Sequence, residues 1–222
     1  MRVARSLVLV SLLPLFAACQ LFDGERQSAD HVGQTRMQGQ LTAADGKLVF
    51  QPCNQPGRYV VNDIGATSIL QQAASLADTQ GKLFADVRGR VVTGNGGDGQ
   101  LDLQTLYRVE RSGTACDDPN FKQLTLRAAG HKPEWNVKVS GKGMVIDRAG
   151  QPPLAVPYVE EQLGDGRFNL SSEANNQRIE LWVAPQRCTD SSSGSIQHMS
   201  AELRIDGQVQ RGCGYFGGAR DD

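Results

Sequence analysis

The chain has 222 residues, with 23 lysines and arginines against 24 aspartates and glutamates, for a formal net charge of −1. That balance, with no basic stripe, excludes the electrostatic footprint of a nucleic-acid-binding protein. The length allows one large or two small domains. The 25 glycines, spaced between short apolar-alternating runs, are the pattern of strands and turns.

Arg2 and Arg5 precede an apolar run of 11 residues, Ser6 to Phe16, with Pro14 near its end. A bilayer-spanning helix needs roughly 20 residues, so this run reads as the core of a secretory signal. Phe16-Ala17-Ala18-Cys19 then resembles a bacterial lipobox. The resemblance implies that residues 1–18 are a lipoprotein signal peptide and that Cys19 is the lipidation site. Gln20, rather than Asp, beside the anchor implies sorting to the outer membrane, with the protein lipid-anchored and facing the periplasm. Each buried methylene contributes ~0.8 kcal/mol, and two acyl signals already hold stably. Loss of Arg2 and Arg5 leaves 21 basic against 24 acidic residues, a net charge of −3. Residues 19–35 read as a lipid-anchored tether, polar and aperiodic, with His31 a solvated linker residue. From Gln20 onward it spans about 55 Å if extended at ~3.4 Å per residue.

Residues 36–120 form the first unit. "RMQGQLTA" alternates, and "DGKLVFQPC" returns from a turn signal as a second strand, so a hairpin is expected. "GRYVVND" is a third strand. In "ATSILQQAASLADTQGK" the period changes, and Ile69, Leu70, Ala73, Ala74 and Ala77 share a helical face. Thr67 or Ser68 can cap its start and Gly81 its end. "KLFADVRGRVV" restores a period of two through Leu83, Ala85, Val87, Gly89 and Val91, and "QLDLQTLYRVE" is a last strand. Three strands, one helix and two strands is the order of a small OB barrel. "GNGGDG", Gly94 to Gly99, satisfies a dinucleotide-binding spacing, but a strand pattern follows it rather than a helix, so it reads as a hairpin loop.

On Phe50, Cys53, Tyr59, Leu70, Ala73, Gly81, Leu83, Val87 and Gly89, about 85 residues of this unit resemble the C-terminal OB domain of the NlpE family of outer-membrane lipoproteins. The resemblance implies an OB-like domain with its helix between strands 3 and 4. It also implies a role in envelope-stress sensing, with folding coupled to the oxidation of Cys53 and Cys116.

Residues 121–222 carry about seven strand patterns and no convincing helix, which suggests an all-β barrel-like domain or curled sheet. The fold class expected is therefore mostly β, with two small β-barrel domains. A tight turn lies at Gly130-His131-Lys132-Pro133, and a hairpin turn at Asp206-Gly207. Gly130, Pro133, Trp135, Cys188, Met199, Ser200, Gly212 and Cys213 resemble the corresponding positions of short bacterial envelope lipoproteins of unknown function, which carry a Gly-Asn-Glu-Pro-Phe-Trp turn. A fainter likeness links this half to META-type and lysozyme-inhibitor barrels.

Besides Cys19 there are four cysteines, Cys53, Cys116, Cys188 and Cys213, and four cysteines allow three pairings. One bridge per half, Cys53–Cys116 and Cys188–Cys213, is the expected pairing. Zinc sites pair close ligands, whereas no two of these lie closer than 25 residues, so no metal is expected.

Nothing in the sequence points to catalysis. The serines of "TDSSSGS", Thr189 to Ser195, lie near His198 but lack a nucleophile-elbow context. Glu160 and Glu161 are adjacent, so on a strand they face opposite ways. His131, Trp135, His198 and Met199 are the possible binding residues. Imidazole and thioether suit a soft metal, but Trp135 and Trp182 read first as core anchors. The expectation is a non-enzymatic envelope protein without cofactor, partnered with the membrane through its lipid and with another envelope protein, not with nucleic acid. The alternative is an inhibitor of a cell-wall lytic enzyme, inserting the loop 189–198, or a small-ligand-binding barrel.

Overall fold

The computed structural model describes residues 33–44, 46–77, 82–92, 99–111, 115–174 and 176–220. Cys19, His31, Gly81 and most of the 94–99 loop lie outside them. Sixteen strands and one α-helix are described. In chain order they are β1 (Thr35–Ala44), β2 (Lys47–Pro52), β3 (Tyr59–Asp63), α1 (Ile69–Ala77), β4 (Leu83–Val92), β5 (Gly99–Arg111), β6 (Leu124–His131), β7 (Glu134–Ser140), β8 (Gly143–Arg148), β9 (Leu154–Val156), β10 (Val159–Gly164), β11 (Arg167–Ala174), β12 (Gln177–Ala184), β13 (Cys188–Thr189), β14 (Ile196–Gln197), β15 (Met199–Ile205) and β16 (Gln208–Phe216).

The first five strands close a barrel. β1 pairs with β2 across the hairpin at Gly46, whose φ is +72°, and along its other edge with β4. β4 pairs with β5, β5 runs parallel to β3, and β3 returns to β2. The circuit 1-2-3-5-4-1, with a helix between strands 3 and 4, is the expected OB-like arrangement. Because β5 begins at Gly99, a strand and not a helix follows the glycine-rich loop.

The helix turns differently from expectation. Ile69, Ala73 and Leu76 are the residues it buries against the barrel, at spacings of four and three. Leu70 is 47% exposed and Ala74 is also at the surface, because the face centred on Ile69 and Leu76 leaves both on the flank.

The second sheet has nine antiparallel strands in the order β10-β11-β12-β15-β16-β6-β7-β8-β9 and curls into a half-barrel. Its edge strands β9 and β10 are consecutive in the chain, joined by Pro157 and Tyr158. Strict alternation puts one face of β6, β12 and β15 into a core holding Trp135, Phe168, Leu181 and Leu203. Asp206 and Gly207, with φ of 49° and 82°, make the two-residue turn between β15 and β16.

Trp135 is 1% exposed and lies where two strands carry no side chain. A Cβ on Gly212 would strike the Ala129 carbonyl and come within 2.8 Å of the Trp135 ring. The Gly212→Ala variant is expected to lose about 1–3 kcal/mol through overpacking. Urea unfolding checks this, and a loss near zero would mean that β16 shifts freely.

The second half does not stay with its own sheet. β14 pairs with β5 at Ile196↔Val109 and Gln197↔Arg108, and β13 pairs with β14. Ile196 is 7% exposed and belongs to the barrel core. The two expected disulfides form, with Cα–Cα distances of 5.5 Å for Cys53–Cys116 and 5.4 Å for Cys188–Cys213. Cys188 lies on β13 of the barrel sheet and Cys213 on β16 of the half-barrel, so the second bridge joins the two sheets.

A polar seam joins them as well. Residues 83–89 are all buried, not every second one, because the outer face of β4 is also covered. Asp86, 0% exposed, accepts two hydrogen bonds from Arg36, at 2.9 and 2.8 Å. Arg36 also donates to the backbone carbonyls of Phe216 and Gly217, at 2.6 and 2.8 Å. Its guanidinium lies 4.0 Å from the centre of the Tyr107 ring. Arg108 sits between Phe84 and Tyr215 and donates to the Tyr215 hydroxyl at 2.9 Å. Planar guanidinium groups suit this use, because they stack and donate in a fork at once.

Candidate functional site

Between the loop that carries β13 and the outer face of β6, β15 and β16 lies a polar cleft of about 510 Å³. Cys188, Cys213, Gly130 and Gly212 line its base, and His131, Arg187, Asp190, Ser191, Glu202 and Arg211 are among its walls.

Asp190 organises the loop. It is 7% exposed, and its Oδ1 accepts from the backbone N–H groups of Ser192 and Ser193 at 3.0 and 2.8 Å. Both serine hydroxyls also reach that oxygen, at 2.8 Å each. Burial pushes the carboxyl up, but the hydrogen bonds from Ser193 and Ser192 together outweigh it and hold Asp190 well below the usual carboxylate range. Asp190 Oδ2 lies 2.8 Å from His131 Nε2, and Ser192 Oγ lies 3.0 Å from the same nitrogen.

A serine, a histidine and a buried acid therefore meet, but not as a relay. In a catalytic triad the acid holds one ring nitrogen and the serine gives its proton to the other. Here both converge on Nε2, and the Ser192 hydroxyl is already within 2.8 Å of the carboxylate. The arrangement fixes a loop and leaves Ser191 and Thr189 exposed at the cleft for hydrogen bonding. Glu202 adds a carboxylate held low, first by a hydrogen bond from Arg204.

The expected binding residues go to separate places. His131 is at the cleft. Trp135 and Met199, each 1% exposed, are in the half-barrel core. Trp182 is not a core anchor: it lies on the outer face of β12 beneath Arg204, whose guanidinium is 4.7 Å from its ring, because the register puts Leu181 and Val183 inward. Among the described residues no group of three or more His, Cys, Asp or Glu is placed to hold a metal.

His198, expected near the serine loop, points instead into the seam. Its ring sits 5.0 Å from both Tyr107 and Phe216, and Nδ1 lies 3.0 Å from the Tyr107 carbonyl. Nε2 is shielded from solvent and has no hydrogen-bond partner. Burial, aided by the nearby Arg36 charge, pushes its pKa down to about 4. The ring is therefore neutral in the fold, while the unfolded chain titrates near ~6.5. Its stabilising contribution is complete above that value and is lost as pH falls toward about 4. Between pH 7.5 and 5 the loss is about 2 kcal/mol. His198→Asn keeps a donor for the Tyr107 carbonyl and is expected to flatten that part of the stability profile. Urea midpoints that fall equally in both proteins would contradict it.

Asp190, Asp86, Arg36 and Arg108 were not singled out by the sequence. Asp190 had a legible signal, since an Asp followed by serines two and three places on is a side-chain-to-backbone turn. The chain matches no family model, no curated protein and no solved structure.

Proposed function

We propose that this is a lipid-anchored envelope protein, held in the outer membrane through Cys19, and that it acts without catalysis by binding another envelope component at the cleft between the 186–191 segment and β16. The observation that carries this reading is the Asp190 loop. Its serines and His131 are spent on holding a rigid, polar surface beside a disulfide, not on activating a nucleophile. The signal-like N-terminus and the paired cysteines support export. The resemblance of the first half to the NlpE C-terminal domain extends the reading to envelope-stress sensing, with oxidation of Cys53 and Cys116 as the monitored state. Unchanged stress signalling in Cys53→Ser cells would count against that extension.

A photo-crosslinking residue at position 191 is expected to capture one envelope protein in living cells, whereas the same residue at Val145 is not. Identical captured sets at both positions would sink the proposal. Replacement of Cys19 by Ala is expected to abolish fatty-acid labelling and membrane retention. The rigid loop also fits a second reading, insertion into a cell-wall lytic enzyme. Stoichiometric inhibition of lysozyme by the purified protein, lost on Asp190→Ala, would favour that one.

A further inference from the structure

The geometry points to Cys188–Cys213 as a thiol-exchange site. We propose that a dithiol of the Cys-x-x-Cys class reduces it from the cleft, and that its opening frees the segment from Arg187 to Ser195.

Both cysteines line the cleft, but unequally. Cys213 is 3% exposed, whereas Cys188 is only partly buried. Thiol–disulfide exchange follows access to the attacked sulfur and the thiolate character of the attacker. Cys188 is therefore the sulfur attacked; the cleft walls carry both signs, Arg187 and Arg211 against Asp190 and Glu202, so access and not charge selects it. In the first step the partner thiolate bonds to Cys188 Sγ. The Cys188–Cys213 bond breaks, and its electron pair leaves on Cys213 Sγ, which takes a proton from solvent. In the second step the partner's other thiolate attacks the partner sulfur of the mixed disulfide. Cys188 leaves as a thiolate and is protonated. Two electrons have passed to the bridge, and the partner ends as a disulfide.

The two ends of this bridge are anchored very differently. Cys213 is in the middle of a nine-stranded sheet, with Ser200 opposite it on one side and Ala129 on the other. Cys188 is on a strand of two residues, which pairs only with another strand of two residues. The Asp190 hydrogen bonds lie mainly inside the segment and move with it. Side-chain ties from it to the rest of the fold run from His131 to Asp190 and Ser192, from Arg111 to the Ser193 carbonyl and from Arg187 to the Thr67 carbonyl, whereas β14 beyond it stays paired with β5, with Ile196 in the barrel core. Loss of the bridge therefore opens the segment locally, while β16 stays in place. Cys53–Cys116 is placed differently, because it joins the end of β2 to the turn after β5 and does not line the cleft.

The test uses the purified oxidised chain and a thioredoxin-type Cys-x-x-Ser trap, in which the resolving cysteine is replaced. A mixed disulfide at Cys188 is expected, at least tenfold more abundant than at Cys213 by peptide mapping. No adduct at Cys188, or one spread evenly over Cys188 and Cys213, would overturn the proposal. Hydrogen exchange on the Cys188→Ala/Cys213→Ala variant gives the second readout. Amide exchange over 188–195 is expected to rise at least tenfold while 201–205 keep their protection. Unchanged exchange over 188–195 would overturn the release, and loss of protection across the whole half-barrel would overturn its locality. Both readouts are made on purified protein, so their failure leaves the lipid anchor and the envelope partner to their own tests.

Discussion

Asp86→Asn is expected to cost this protein about 3–5 kcal/mol, the penalty of leaving a buried charge without its partner. Asp86 is wholly enclosed and takes both forks of Arg36, and Gln38 donates to it as well, at 3.3 Å. The neutral amide can accept one of the two Arg36 bonds and turns a donor toward the other. Urea unfolding of the purified chain measures the loss, and a value below about 1 kcal/mol would show that the pair is solvated after all. The double variant Asp86→Leu/Arg36→Met separates charge from packing. Apolar replacement of a buried pair is often neutral. Here recovery is expected to be partial, because the Phe216 and Gly217 carbonyls lose the donor that Arg36 gives them.

Removing the first bridge has an effect of the same size. Cys53→Ala/Cys116→Ala releases a constraint spanning 63 positions. Loop entropy gives about 4 kcal/mol for a closure of that length, within the range of roughly 2–5 kcal/mol seen for native bridges of small secreted domains. The bridge ties the end of β2 to the turn after β5, so it clamps barrel strands whose pairing is otherwise non-local. The expected result is a lower urea midpoint with a steeper slope, because the unfolded chain without the bridge is less compact. A midpoint equal to that of the native chain would show that strand pairing alone closes the barrel.

Most strands were legible because one face of each is apolar and turn residues separate them. Asp206-Gly207 and the run before Lys47 marked hairpins that form. The helix was found, but its phase was not, because Leu70 and Ala74 are as apolar as the residues that pack. The seam was hidden for a related reason. Asp86 and Arg88 look like the solvated face of an alternating strand until a second sheet covers that face. At the cleft, His131 and the 189–195 loop were both noted, but their meeting depends on where β13 and β14 dock. No local pattern sets that docking. His198 and Met199 are neighbours, yet one serves the seam and the other the half-barrel core.

Ile196 carries a consequence for the order of assembly. Ribosomes deliver a chain from its N-terminus, and domains generally fold in that order. The barrel's own five strands are complete at Arg111, yet a hydrophobic plug for its interior arrives only 85 residues later, at Ile196. The early half therefore waits with a vacant slot beside Val109 until the late half is made. Maturation is thereby tied to the last third of the polypeptide, and a truncated product would present an unfinished, sticky barrel to the cell's quality-control machinery.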